Sequence, residues 1–480
     1  MSKYDYDYIV VGGGPTGLTL AWYLSKLNKK ILLIERENDI GGCHRVKRVN
    51  GLFTEHGPRV YIDNYYTFIS LLKDMEISFH DIFTLYNFNM GDIGGQSIRN
   101  FSFKELFHLT VSFLWLSDSD KKITMSDYLK DKNFSEKAKN YIDRLCRLTD
   151  GAGIERYTLY QFMQIINQNV LYNTYQPKKP NDIGLMKLWG DRLRENNVKI
   201  MLNTQVIGLN KDNNSRVKSV TVRTSNSLLE IKGDNIILAT PPYHSIKIIE
   251  DSDVSDAFGN INQLKSWESK IRYMPYIPIV FHWDKEIRLE KIWGFPKSDW
   301  GIAFVVMTDY MRFDEKESKT VISVIITIHE KSSVIGKTPN ECKKEELINE
   351  TFRQLKETFP NLPTPTRSLV EQNTYSGGKW EPDDNGFMIT KHGYMDFYSK
   401  YRNLYTCGHH NGHSTYNFNS LESAVINAIS LLHVLEPSTV NKYKVKKGIT
   451  LKGFILNVII VFIIIVLIWK ICNCIWKNKN

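Results

Sequence analysis

At 480 residues the chain is long enough to bury a large core and to hold two interleaved domains. Its 42% apolar and 24% charged residues set it among ordinary globular proteins, with no internal repeat and no long low-complexity segment. The formal charge of +10 comes without a basic stripe interleaved with aromatics, and much of it lies near the C-terminus, so nucleic acid is not an expected partner.

The first unit, residues 8–35, reads as strand, glycine turn, helix, strand and acid. An apolar strand over 8–11 runs into Gly12-Gly13-Gly14-Pro15-Thr16-Gly17, which opens a helix over 18–27. A second apolar strand over 30–34 ends on Glu35-Arg36. Gly12 allows the tight turn, Gly14 admits a pyrophosphate to the helix N-terminus, and Gly17 lets helix and strand approach. The helix end, with Pro15 and Thr16 in its first turn, offers roughly half a positive charge to phosphate. Glu35, 18 residues after Gly17, stands where a carboxylate accepts a ribose hydroxyl. This is a dinucleotide site.

Downstream come a second glycine pair, Gly41-Gly42, then Cys43-His44-Arg45 and Glu55-His56-Gly57-Pro58-Arg59-Val60. These segments resemble the flavin-containing amine oxidase superfamily, which includes phytoene desaturases and protoporphyrinogen oxidases. The opening is also similar to UDP-galactopyranose mutases. The resemblance implies FAD as cofactor, with Gly42 beside the pyrophosphate and Gly57, Pro58, Arg59 and Val60 beside the flavin ring. The chain departs from the family's arginine directly after the glycine pair, which leaves Arg45 or His44 for the phosphate contact. Further blocks fall in the family's order. Residues 202–207 follow a helix over 185–196 and place Val206 near the adenine. The apolar strand over 235–238 runs into Ala239 and a proline turn. A strand over 403–406 leads to Gly408 and His409. The helix over 420–428 would direct its N-terminus, at Leu421, to the flavin pyrimidine ring.

Between these blocks, helices are expected over 103–114, 125–130, 135–148 and 158–170, and apolar strands over 271–282, 301–308 and 320–328. The resemblance makes this a substrate domain, a sheet over the flavin face with helices behind. Its aromatics, Tyr273, Tyr276, Phe281, Trp283, Trp293 and Trp300, read mostly as core. An apolar substrate entering from a membrane is compatible with them. The strand across 274–283 has no lysine where amine oxidases place one near flavin N5. The stretch 374–380 is similar to the monoamine oxidase segment carrying the covalent-flavin cysteine; Lys379 stands in its place, implying non-covalent FAD. Trp380 is the candidate catalytic cage aromatic, while Ser420 falls where a second would be, with Phe418 as a substitute. His409 and His410 are the other catalytic candidates, placed to assist proton transfer. The His409-His410-Asn411-Gly412-His413 run is not expected to bind a metal, because no further ligand cluster accompanies it.

No signal peptide is visible, and the six cysteines, Cys43, Cys146, Cys342, Cys407, Cys472 and Cys474, show no CxxC or disulfide spacing, which suits a reducing compartment. Residues 453–469 hold fourteen Leu, Ile, Val or Phe residues, flanked by Lys442, Lys444, Lys446 and Lys447 on one side and Lys470, Lys477 and Lys479 on the other. This reads as a single-pass C-terminal anchor, inserted after synthesis, with the catalytic body cytosolic and the lipid bilayer as a partner.

The expected architecture is therefore α/β. A Rossmann-type FAD-binding domain (1–100, 191–245, 371–435) is intertwined with an α+β substrate domain (101–190, 246–370). A basic linker (436–452), a transmembrane helix (453–469) and a short polar tail (470–480) follow. The expected function is a membrane-anchored FAD-dependent oxidoreductase acting on a small or apolar molecule by hydride transfer to flavin N5. A non-redox isomerase similar to UDP-galactopyranose mutase, or a flavin-binding protein without turnover, stays open. The sequence names neither substrate nor oligomeric state.

Overall fold

The computed structural model describes residues 4–57, 59–86, 98–212, 215–272, 277–291, 298–382, 387–389, 391–448 and 450–477. Five parallel strands form its centre, in the order Lys199–Met201, Ile31–Ile34, Tyr6–Val11, Leu228–Leu238, Leu404–Thr406. The short apolar run Ile9-Val10-Val11 is buried on both sides, as a parallel strand under helices on both faces must be. Each such side chain taken out of water contributes about 1.5–3 kcal/mol. One face is covered by the helices Pro15–Ser25, Leu185–Glu195 and Leu421–Leu435. On the other face lie an antiparallel extension, Val217–Arg223 and Gln205–Lys211, and the helix Pro242–Glu250.

A second, antiparallel sheet runs Ala303–Val306, Thr320–Ile326, Ile277–Trp283, Arg367–Leu369. The period of two splits its side chains cleanly. Ile279, Phe281, Trp283, Phe304, Ile322 and Val324 face backward onto the helix Lys344–Thr358, while Val280, Val305 and Val321 face forward onto Val46 and Phe53. That helix was not expected; Leu347, Thr351 and Leu355 recur at its buried face and show the helical period.

The helix Phe103–Leu114 has its expected bounds, and Met125–Asp131, Glu136–Asp150 and Leu159–Leu171 differ from expectation by one or two residues. The strand expected over 271–282 is shorter. Ile271 closes the helix Ile261–Ile271, and the strand begins at Ile277. Tyr273, Tyr276 and Trp293 lie outside the described residues. The last helix, Leu451–Lys477, is longer than the expected span; its Leu451–Lys470 part is long and apolar enough to cross a membrane, and none of it is buried in the protein.

Candidate functional site

The register of the parallel sheet brings the strand ends together. Val11 is opposite both Ile34 and Leu238, Leu238 is opposite Thr406, and Ile34 is opposite Met201. Gly12, Glu35, Ala239 and Gly408 therefore leave the sheet close to one edge, the carboxyl edge at which open parallel sheets bind ligands.

The glycine turn is shaped by close approach. Gly12 has φ of +109°, and a Cβ there would stand 2.6 Å from the carbonyl oxygen of Ala239. A side chain on Gly42 would stand 3.0 Å from the Cα of Gly14, so the two glycine turns touch through their backbones. A Cβ on Gly17 would meet the Gly12 oxygen at 2.0 Å. The helix that follows has Gly14 at its N-cap and no side chain capping it, which leaves its first-turn N–H groups for a ligand. Pro15 occupies the first position, and the Thr16 hydroxyl donates to the carbonyl of Ala424 at 3.4 Å. The first turns of Pro15–Ser25 and Leu421–Leu435, the latter opened by Leu421, are thus neighbours. Glu35 accepts the N–H groups of Gly13 at 2.7 Å and Glu37 at 3.0 Å. Burial raises its pKa, opposed by those two N–H groups and by Arg45 and Arg36.

Among the other predicted cofactor residues, Arg36 pairs with Glu37 and approaches His244 at 3.4 Å. Arg45, its side chain only 9% exposed, stands 3.6 Å from the Glu37 carboxylate. The N–H groups of Asn203 and Thr204 donate to the carbonyls of Glu37 and Glu35, which lays the start of the Val206 strand beside Glu35; the Val206 side chain itself is core. Gly57 is buried, Val60 packs at the margin of the main core, and Arg59 donates to the Cys43 carbonyl at 2.6 Å. Pro58 lies outside the described residues.

His409 and His410 form a short turn directly after Gly408 and are both buried. Nε2 of His410 is 2.6 Å from the Thr406 hydroxyl. Both ring nitrogens of His409 and Nδ1 of His410 are shielded from water, without a hydrogen-bond partner among the described residues. Burial pulls their pKa values down to about 4 and about 3, so both are neutral imidazoles at physiological pH. The aromatic ring beside them is Phe387, at 6.4 and 6.1 Å between centroids, which the sequence reading did not single out.

Trp380 is placed elsewhere, and its expected cage role is corrected. It sits in the hairpin Asn373–Ser376 and Lys379–Pro382, within the cluster behind the second sheet. Its indole N–H donates to the Cys342 carbonyl at 3.1 Å. The forward face of that sheet, against Phe53 and Val46, is the one turned toward the glycine segments, so the indole is core on the opposite side. Lys379 on the same hairpin pairs with Glu381 at the surface. Phe418 packs with Met388 and Phe162 in the helical cluster.

A narrow cavity opens between the glycine segments and the forward face. Phe53, Glu55, Arg59, Tyr61, Asn181 and Tyr310 are among its lining residues. Glu55 was read only as part of a motif. Burial pushes its pKa up to about 7, against the lowering effect of Ser323 and Arg59. Its Oε1, Gln176 Oε1 and Asn181 Oδ1 are shielded acceptors without a partner among the described residues. Desolvation is the signal, and no sequence pattern carries it.

An NAD(P)-binding Rossmann-like domain pattern matches residues 10–74, and the pattern of the family described as flavin containing amine oxidoreductase matches residues 185–428, just over half of the chain. The chain belongs to the flavin containing amine oxidoreductase family. Among solved structures, putrescine oxidase has a similar fold, with a TM-score of 0.63 at 12% identity over 90% of this chain and 99% of that one. A protein from Exiguobacterium sp. 255-15 assigned as a protoporphyrinogen oxidase gives 0.57 at 15% identity, covering 91% and 100%. The UDP-galactopyranose mutase of Mycoplasma genitalium is 32% identical over 72 residues, 14% of this chain and 18% of that protein. Thiamine thiazole synthase of Desulfosudis oleivorans is 35% identical over 80 residues, 14% of this chain and 31% of that protein. The chain spans less than a third of the length of these two curated relatives.

Membership in the amine oxidoreductase family implies a flavin, and the residues present fit one. A side chain on Gly12 or Gly42 would crowd the Ala239 carbonyl or the Gly14 backbone, the Pro15–Ser25 helix presents uncapped N–H groups, and Glu35 stands at the end of the second strand. The orphaned nitrogens of His409 and His410 follow the last strand at the same edge. Among the described residues, no group of three or more His, Cys, Asp or Glu could hold a metal ion.

Proposed function

We propose that this chain is an FAD-dependent oxidoreductase that binds its cofactor non-covalently, oxidises a small or apolar molecule, and is held to a membrane by the Leu451–Lys470 helix. The observation that carries the reading is the common edge formed by Gly12, Glu35, Ala239 and Gly408. Gly14, Thr16 and Gly42 would hold the pyrophosphate, Glu35 the adenosine ribose, and Gly57, Arg59, Gly408 and His409 the flavin end. When bound, the flavin supplies a two-electron acceptor for hydride at N5. Non-covalent binding is supported by Lys379, which stands at the surface where the similar monoamine oxidase segment carries the flavin-linked cysteine.

The protein's own share of the chemistry is placement and proton control. The forward face of the second sheet, Val280, Val305 and Val321, packs behind Val46, Phe53 and Met307, which line the cavity. Glu55, titrating near neutrality at Oε1, holds or accepts the proton that accompanies substrate oxidation. The neutral His409 and His410 imidazoles serve as hydrogen-bond partners rather than as acids. The four lysines before the span, Lys442, Lys444, Lys446 and Lys447, support a cytosolic body.

The test is an absorbance spectrum of the full chain purified in detergent, followed through anaerobic addition of candidate amines and polyenes. Oxidised-flavin bands released by denaturation, and bleached by one compound class, are the expected result. A colourless protein that cannot be reconstituted with FAD would sink the reading, and flavin that no compound reduces would remove its redox part.

A further inference from the structure

The helix Phe103–Leu114 is apolar on both faces. Its inner face packs Leu109 and Phe113 against the helical cluster and buries Glu105, which accepts the N–H groups of Ser102 and Ser135, while the Ser112 hydroxyl donates to Tyr128. Its outer face is apolar. Phe103, Phe107 and Leu114 fall within about 40° of one another at 100° per residue, with Val111 and Trp115 on one flank. Phe103 is 88% exposed, Phe107 59% and Trp115 69%. Contiguous exposed aromatics on one stripe mark a surface that meets something other than water.

Two contacts say what that is. The Leu451 N–H, at the root of the apolar C-terminal helix, donates to Asn167 Oδ1 at 2.6 Å, so that helix leaves the body from Leu159–Leu171. The segment following Trp115 returns to the same helix, where the Lys121 ammonium sits 4.9 Å from the Tyr160 ring centroid. Tyr160 and Asn167 are seven residues apart, about 10 Å along the axis. The exposed stripe and the membrane-crossing helix are thus tied to one short rod. Lys104 and Lys122, both exposed, flank the stripe with positive charge suited to anionic headgroups.

We propose that this stripe seats the body on the bilayer: Phe103, Phe107 and Trp115 enter the boundary between headgroups and acyl chains of the same membrane that Leu451–Lys470 crosses. The proposal rests on the membrane reading above and adds a second, peripheral contact. A single membrane-crossing helix holds the body at one point; two attachments hold the catalytic body at a set orientation to the lipid surface.

The test uses the full chain in phosphatidylcholine–phosphatidylglycerol vesicles containing a photoactivatable acyl chain, with lipid-bearing peptides mapped after irradiation. The expected result is adducts on 451–470 and on 103–115, the latter several-fold above the exposed Leu228-Leu229 strand end, which is apolar but belongs to the central sheet's strand. The triple variant Phe103→Ser/Phe107→Ser/Trp115→Ser should keep its Tm and its adducts on 451–470 while the 103–115 adducts fall to the level of that strand end. Adducts on 451–470 alone overturn the seating surface and leave the anchor standing. Copies cross-linked through 103–115 without lipid there assign the stripe to self-association and also overturn it. No adducts on 451–470 remove the membrane reading and this proposal with it.

Discussion

The Glu422 carboxylate accepts the backbone N–H of Phe68 at 2.8 Å, joining two helices that are 354 residues apart in the chain. It takes the Thr67 N–H as well, at 2.9 Å, and so caps the first turn of Tyr66–Asp74 from the helix that starts at Leu421. The bond fixes the second glycine segment's downstream helix, Tyr66–Asp74, against Leu421–Leu435. Its cost is desolvation, which pushes the Glu422 pKa up to about 7 despite the two N–H groups that lower it.

That shift has a pH signature. A raised carboxyl pKa means the folded state holds the proton over a range where the unfolded chain has lost it. Stability is then full below the ordinary value of 4.5 and falls as pH rises to about 7, by about 3 kcal/mol. Glu55 adds a slope of the same sign over a similar window. In Glu422→Gln, thermal melts from acid to neutral pH should lose about half of the decline. A variant as pH-sensitive as the parent would show that Glu422 titrates normally.

Glu55→Gln should bind FAD as the parent does and keep its Tm within a few degrees. The limb of kcat/KM against pH that falls near 7 should disappear. An unchanged profile would remove Glu55 from proton handling.

Glu35→Gln weakens both charge-assisted bonds to the Gly13 and Glu37 N–H groups as well as the ribose contact. FAD affinity, measured by fluorescence titration of the apoprotein, should fall by about tenfold or more, corresponding to roughly 1.5–3 kcal/mol.

Gly42→Ala places a Cβ against Gly14 at 3.0 Å, at a φ of +55°. The backbone strain costs about 1 kcal/mol, so the apoprotein should still fold. FAD retention through gel filtration should nevertheless be lost, because the two glycine turns must move apart.

Trp380→Phe tests the corrected placement. Losing the indole bond to Cys342 should lower stability by about 1–2 kcal/mol and leave kcat unchanged. A drop in kcat at constant stability would return the indole to the substrate site.

The local half of this protein was legible from sequence. The spacing from Gly12 to Glu35 reports the strand–turn–helix–strand unit because Gly13, Gly14 and Gly17 answer contacts within about 30 residues, the size of the unit itself, while the contact of Gly12 with Ala239 shows only in the fold. The apolar run after Lys452 is equally local. Its length and composition alone meet the requirement of a membrane-crossing helix, and only the extra turns beyond Trp469 were missed. Long-range assembly was the part sequence could not settle. Trp380 fitted a catalytic pattern by its neighbours Gly377-Gly378-Lys379, yet which face of the second sheet its hairpin covers depends on packing against Cys342 and the Lys344–Thr358 helix. The neutral state of His409 and His410 follows from burial, while the pKa of Glu55 and the cap from Glu422 to Phe68 depend on residues hundreds of positions away. Sequence determined the pieces that interact along the chain; tertiary structure decided burial, and burial sets which groups carry charge, hold protons or merely fill the core.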